Sequence, residues 1–341
     1  MKGVAVRRPS TRFTLLALLL AAAWSAPVAA KTDLDALNLE DLLNITITGA
    51  SKYEQRQQEV GAAVSVISRD EIRAFGWRTL AEALNSLPGI HLTYDRQYTY
   101  LGARGFGLQG DYNTRVLLAI NGNRLNDANY DSALFGQEFP LDLDLVERIE
   151  FIPGPGGAVY GQNALFGVVN IITRNGAGVN GLELAASYQS PQASREGRVT
   201  WGKKLDNGLD VLVSAKGMRA RGEDLFMAYP GAGPGGTDVS GTAHRMDGER
   251  DEEVYAQLAR GPWSFNFSYG DRRKDDPTGA YFGDPLVPGQ YQRDRSLLGQ
   301  LQYQDSFAGD SLQLLARLFM GEEHYCPVDF ITESTTVRSI S

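Results

Sequence analysis

Cysteine is nearly missing from the 341 residues: Cys326 is the only one. A lone thiol excludes a disulfide framework and leaves no sulfur set for a structural zinc. Histidine is almost as scarce. His91, His244 and His324 lie far apart and fall into no recognised metal spacing, so neither a metal site nor a cofactor is expected. No Walker lysine, HExxH helix or workable serine–histidine–acid set occurs, which argues against an enzyme. Beyond residue 30 no apolar run approaches the roughly 20 residues of a spanning helix. Basic charge is in deficit too, with 33 Lys and Arg against 41 Asp and Glu and a formal net charge of -8. That balance argues against nucleic acid and anionic lipid as partners.

What is abundant is glycine and aromatic side chain, with 38 Gly, 15 Tyr and 14 Phe. This composition suits a barrel with aromatic girdles, and equally a secreted β-sandwich. The first 30 residues read as an export signal. Lys2, Arg7, Arg8 and Arg12 precede an apolar core from Phe13 to Ala23, and Val28-Ala29-Ala30 supplies the small residues of a cleavage site. Cleavage after Ala30 would remove those four basic residues and take the net charge from -8 to -12.

The remainder divides by periodicity. Up to Arg174 short helices and strands mix. Ser68-Arg69-Asp70-Glu71 and Thr79-Leu80-Ala81-Glu82 both have capping-box spacing. After the second box, Leu80, Ala83, Leu84 and Leu87 recur at helical spacing until Pro88-Gly89. Val116 to Ile120 reads as a buried strand turned back by Asn121-Gly122. From Gly181 the period changes to two. Trp263, Phe265, Phe267 and Tyr269 alternate with Ser264, Asn266 and Ser268, which sorts aromatic and polar groups onto opposite faces of a strand. Leu312, Leu314, Ala316, Leu318 and Met320 repeat the theme.

Seven such strands are expected, near 182–188, 198–205, 209–217, 252–260, 263–270, 296–304 and 311–320. Short turns at 207–208, 261–262 and 306–310 alternate with longer stretches at 189–197, 218–251 and 271–295. Tight turns at one end and long loops at the other are the layout of a transmembrane β-barrel. A soluble sandwich is the competing fold.

The order of parts resembles the TonB-dependent outer-membrane receptors. The stretches carrying the resemblance are VGAAVSVISRDEIRAFGWRTLAEALNSLPGIHL, LGARGFG, RVLLAINGNRL and VERIEFIPGPGGAVYGQNALFGVVNIITR, and the match as a whole runs nearly without a gap from residue 45 to 175. The resemblance implies an α+β plug domain followed by antiparallel transmembrane β-barrel strands. In that frame residues 1–30 are the signal peptide, 31–50 a periplasmic segment, 51–176 the plug, and 177–341 the N-terminal part of a barrel. It also implies an outer-membrane location in a Gram-negative cell, with TonB and its inner-membrane complex, outer-membrane lipid, and a ferric siderophore or cobalamin as partners.

Residue by residue, Ile45, Thr46, Ile47 and Thr48 stand where the family has its TonB box, a segment gripped by strand addition. Leu39 to Leu43 just before them could equally take part. Arg104, Glu147 and Arg148 would lock the plug to carboxylates of the wall, since a buried charge needs a partner; an ordinary solvated pair is the other reading of Glu147 and Arg148. Tyr94, Arg96, Tyr98 and Tyr100, with a second loop at 126–137, would face the ligand, although these tyrosines could instead pack on the wall. The glycine run after Ile152 would turn the chain where it approaches the wall; read alone it is a weak phosphate loop, lacking the Gly-Lys-Ser/Thr ending.

One departure stands out. Family barrels have roughly 22 strands, whereas about seven are legible here. The tail from Cys326 ends in TTVRSIS, without alternation or a terminal aromatic. An incomplete barrel is expected, from a frameshift, a premature stop or a partial gene model, with the plug folding and the pore not closing. The alternatives are a secreted ligand-binding or adhesion module with a soluble β domain, and a truncated receptor without function.

Overall fold

The structure is a computed structural model that describes residues 46–47, 55–56, 64–108, 110–280, 286–307, 309, 312–326 and 335–340. The export-signal segment lies outside the described residues, as do Ile45 and Thr48. Strands β1 (Thr46–Ile47) and β2 (Gln55–Arg56) pair antiparallel ahead of the main domain.

The first domain forms as the local chemistry directs. Strand β3 (Ser65–Ser68) runs into helix α1 (Arg69–Phe75), whose start is a full capping box between Ser68 and Glu71 and whose end is Gly76 at φ 70°. Thr79 and Glu82 cap α2 (Leu80–Leu84) in the same way. This helix is shorter than the leucine spacing suggests. The backbone tightens to i→i+3 bonds from Ser86 and Leu87 to Ala83 and Leu84 before Pro88-Gly89 releases it into β4 (Ile90–Tyr94). Strand β5 (Thr99–Ala103) pairs with β4.

A five-stranded sheet carries the core in the order β3-β8-β9-β6-β7. Its members are β6 (Val116–Ile120), β7 (Asn123–Arg124), β8 (Val146–Pro153) and β9 (Gly167–Thr173) beside β3. Only the β6–β9 pair among them is parallel. The Asn121-Gly122 turn takes φ 50° and 77°, the left-handed geometry that a two-residue hairpin demands. Ile67, Ile72, Leu80, Leu84, Leu118, Phe135, Ile149 and Ile171 close the core.

The glycine run leads from β8 into a one-turn helix α3 (Gly157–Tyr160). The described neighbours of its glycines belong to the same domain. A side chain at Gly154 would meet the Arg104 guanidinium, and one at Gly156 would meet Val168 and Ala164. Among the described residues, then, the turn packs on its own sheet.

The second part is one antiparallel sheet of eight strands. It comprises β10 (Gly181–Gln189), β11 (Ser194–Lys204), β12 (Asp210–Ala220), β15 (Glu249–Arg260), β16 (Trp263–Asp275), β17 (Tyr291–Phe307), β18 (Leu312–Cys326) and β19 (Thr335–Ile340). Two sequence expectations are corrected here. The tail supplies an eighth strand, since Thr335 to Ile340 pairs with Tyr325 to Met320. The first long connection shrinks to residues 190–193, because β10 and β11 keep pairing out to Gln189 and Ser194. The connection at 221–248 carries its own hairpin of β13 (Leu225–Tyr229) and β14 (Val239–Ala243).

Alternation sorts the side chains as the period-two pattern requires. Leu184, Tyr188, Trp201, Val213, Leu258, Trp263, Leu318 and Met320 are exposed on one face. Thr200, Ser214, Lys216, Ser268 and Arg272 are buried on the other, against the first domain. Polar inside and apolar outside reverses the soluble pattern and is that of a lipid-facing barrel. Trp263 and Tyr303 pack edge to face at 4.9 Å near the short turn 261–262, as members of an interfacial girdle do.

A short helix α4 (Gly176–Val179) joins the two parts. Gly176 donates its N–H to Asp210 at 2.5 Å, and any Cβ there would run into the Val211 carbonyl. Gly176→Ala is expected to cost about 2 kcal/mol through overpacking; a urea midpoint within error of the parent would refute this.

Candidate functional site

At the seam, buried cations of the wall strands meet carboxylates of both plug and wall, and the plug's Arg174 meets a wall carboxylate. Arg198 of β11 donates to Asp144 at 2.7 Å and lies 3.6 Å from Asp142. Asp142 caps a 3-10 helix (Leu143–Leu145) whose middle residue is Asp144. Lys216 of β12 bonds Glu253 at 2.9 Å and lies within 4 Å of Asp142, Glu196 and Asp251. Arg272 of β16 is held by Glu249 at 2.6 Å and Asp294 at 3.4 Å, lies 3.9 Å from the plug's Glu138, and donates to the Gln97 carbonyl at 2.7 Å. Lys274 bonds Asp247 of the 221–248 connection at 2.6 Å. Where the plug passes into β10, Arg174 grips Glu183 with two bonds of 2.8 and 2.9 Å, a bidentate pair of the strong kind.

Each buried cation needs such partners, because an uncompensated ion in the interior costs several kcal/mol. Burial also lifts the Glu138 carboxyl above the ordinary carboxylate range although Arg272 stands beside it. Neutral contacts complete the seam. Ser268 donates to the Pro140 carbonyl at 2.7 Å, Tyr255 reaches Thr173 at 3.2 Å, and Leu212, Tyr255 and Leu298 of the wall enter the plug's core.

The three residues expected to form the lock sit elsewhere. Arg148 pairs with Glu150 on its own strand at 2.9 Å, Glu147 is exposed, and Arg104 is exposed beside the glycine turn. Among the described residues none of them bonds a wall strand. A parity signal for the seam's cations was present: Arg198, Lys216, Arg272 and Lys274 all share the inward parity of their strands. Nothing local identified which plug carboxylates they would meet.

Between the plug loops and the long-connection end of β15 to β18 lies a cavity of about 420 Å³. Of the residues expected to face a ligand, Tyr98 and Tyr100 line it. Tyr98 donates to Asp294 at 2.8 Å and Tyr100 to Asp95 at 2.8 Å. Burial, with Asp294 beside it, keeps the Tyr98 phenol well above its ordinary pKa, so it remains a donor. Tyr94 bonds the Arg96 carbonyl at 3.1 Å, and Arg96 reaches Asp247 at 3.5 Å and Glu223 at 3.8 Å; neither lines the cavity. The second expected loop contributes Asp127 and Tyr130, which stacks on Tyr112 at 5.1 Å and meets Tyr325 edge-on at 6.4 Å. Sequence reading missed Tyr112 and Tyr325, which lie far apart in the chain.

Of the candidate TonB-box residues, Thr46 and Ile47 form β1, opposite Arg56 and Gln55.

Residues 56–168 match the family model described as TonB-dependent Receptor Plug Domain. The Vitamin B12 transporter BtuB of Photobacterium profundum is 33% identical over 198 residues, covering 56% of this chain and 31% of the relative. The Iron-regulated outer membrane virulence protein of Vibrio cholerae is 32% identical over 170 residues, covering 49% of this chain and 24% of the relative. Among solved structures, the ferric enterobactin receptor PfeA from Pseudomonas aeruginosa superposes with a TM-score of 0.59 at 18% identity, covering 87% of this chain and 46% of that one. The siderophore receptor PiuA from Acinetobacter baumannii gives a TM-score of 0.58 at 17% identity, covering 83% and 39%. These likenesses to solved structures show the fold. The chain spans 31% or less of the length of these two curated relatives.

Proposed function

We infer that this chain, which carries a TonB-dependent receptor plug and strands of the barrel that surrounds it, is a fragment of a receptor for energised uptake of a scarce nutrient across the outer membrane. The carrying observation is the seam. A plug held to a polar inner wall by a few ion pairs, with a lined cavity at its outer edge, can bind a ligand and be displaced without covalent chemistry. The outward apolar face supports residence in outer-membrane lipid, and the N-terminal 30 residues support export through a cleaved signal. Relatives named for vitamin B12 transport and iron regulation support cobalamin or a ferric siderophore as the ligand. Thr46 and Ile47, with Ile45 and Thr48, are the segment we assign to TonB, which would add a strand there.

Cells expressing the 341-residue chain are expected to hold it in outer membranes until detergent is added, and TonB's periplasmic domain is expected to capture it. Ile47→Pro should cut that capture by about ten-fold, because proline removes a ladder donor. Release into the medium, or capture unaffected by the proline, would count against this reading.

A further inference from the structure

We propose that the 420 Å³ cavity accepts a neutral or positively charged, ring-bearing portion of its ligand and rejects polyanionic complexes. The proposal rests on the reading above, that this cavity is where the transported ligand sits.

The first observation is charge. Six carboxylates line the cavity, from Asp127, Glu138, Asp251, Asp271, Asp294 and Glu323, against the guanidiniums of Arg272 and Arg295 and the ring of His324. Both guanidiniums are committed. Arg272 is divided among Glu249, Asp294, Glu138 and the Gln97 carbonyl. Arg295 lies 3.1 Å from Asp271, which also takes two bonds from Arg293. The layer behind does not restore the balance, since Lys216 is shared with Glu253, Asp142 and Glu196 as well as Asp251. An anionic ligand entering here would shed water and, among the described residues, find carboxyl groups instead of an uncommitted guanidinium or ammonium, a costly exchange.

The second observation is a buried carboxyl. Asp251 is 2% exposed and belongs to the acidic lining, with the Lys216 ammonium 3.7 Å from its Oδ2.

The third is aromatic. Tyr112 stacks on Tyr130 at 5.1 Å and Tyr325 stands edge-on to Tyr130. Tyrosine faces beside carboxylates are the chemistry that holds organic cations, and the volume suits a drug-sized fragment. Glu323, which accepts from the Ala128 N–H at 2.7 Å, ties this aromatic corner to the plug loop and places its carboxyl there.

The test uses the full chain in non-ionic detergent micelles and two probes with the same phenol ring, tyramine and 4-hydroxyphenylacetate. Calorimetric titration is expected to show tyramine binding at least about ten-fold tighter. Glu323→Gln should narrow that ratio by about three-fold or more, since it keeps the acceptor and removes the charge. Tyr130→Ala should weaken tyramine without improving the anion. Equal or tighter binding of 4-hydroxyphenylacetate, no binding of either probe, or a ratio untouched by Glu323→Gln overturns the proposal. An anion that wins while TonB capture persists removes the charge preference and leaves the uptake reading standing. Loss of TonB capture with the tyramine preference intact does the reverse.

Discussion

Arg272→Met is expected to loosen the plug from the wall by about 3–5 kcal/mol, the cost of stranding buried charges by removing one partner. Arg272 is 3% exposed, and its removal leaves Glu138, Glu249 and Asp294 facing one another around an apolar stem. The Gln97 carbonyl loses its donor as well. Pulse proteolysis across a urea series reads the effect, with plug fragments released at lower urea than in the parent. The loss should shrink in acid, and the sign follows from Glu138. Its carboxyl already titrates above the ordinary range in the folded chain. Without Arg272 it rises further, so the folded variant binds a proton that the unfolded chain holds less tightly. Stability of the variant therefore increases as pH falls through that raised pKa toward the ordinary carboxylate value. A variant as stable as the parent at neutral pH would show that the seam does not depend on this ion.

Phe135→Ala should cost a comparable amount, about 3–5 kcal/mol, by a different route. Phe135 is 0% exposed and belongs to the largest fully buried side chains. Its own carbonyl accepts the Ala81 N–H at 2.8 Å, which fastens the loop before the seam to α2. Truncation would leave a void at the point where helix, loop and sheet meet, and the surroundings are close-packed and cannot collapse fully. Hydrogen exchange offers the discriminating readout. Amides of β6, β8 and β9 should lose protection while those of β12 and β15 keep theirs. Equal loss in both sheets would mean that plug and wall unfold as one unit. Unlike Arg272→Met, this defect should be insensitive to pH, since no charge is involved.

Much of the plug was legible because its signals are local. Each capping box sets hydroxyl and carboxylate three residues apart, and Asn-Gly demands positive φ, so sequence distance and spatial distance coincide. The wall strands were legible for the same reason, since alternation is a property of neighbours. Boundaries fared less well. β10 and β11 extend past the alternating stretch because a paired strand continues as long as its partner offers backbone groups. Thr335 to Ile340 joins the sheet on backbone pairing that a composition-based reading does not see.

The sequence by itself determined two stretches of different period, most of their elements and which parity of each wall strand faces inward, because these follow from capping, turn chemistry and period. Only the tertiary structure decided the partners. Arg198, Lys216 and Arg272 meet carboxylates far away in the chain, and Tyr98, Tyr130 and Tyr325 share one cavity across some 230 residues. Charge pairing acts through space at a few ångströms, and nothing in the order of residues along the chain encodes that distance. Arg104, Glu147 and Arg148 were candidates by the family's pattern; the fold turns Arg148 to Glu150 and leaves the other two exposed among the described residues.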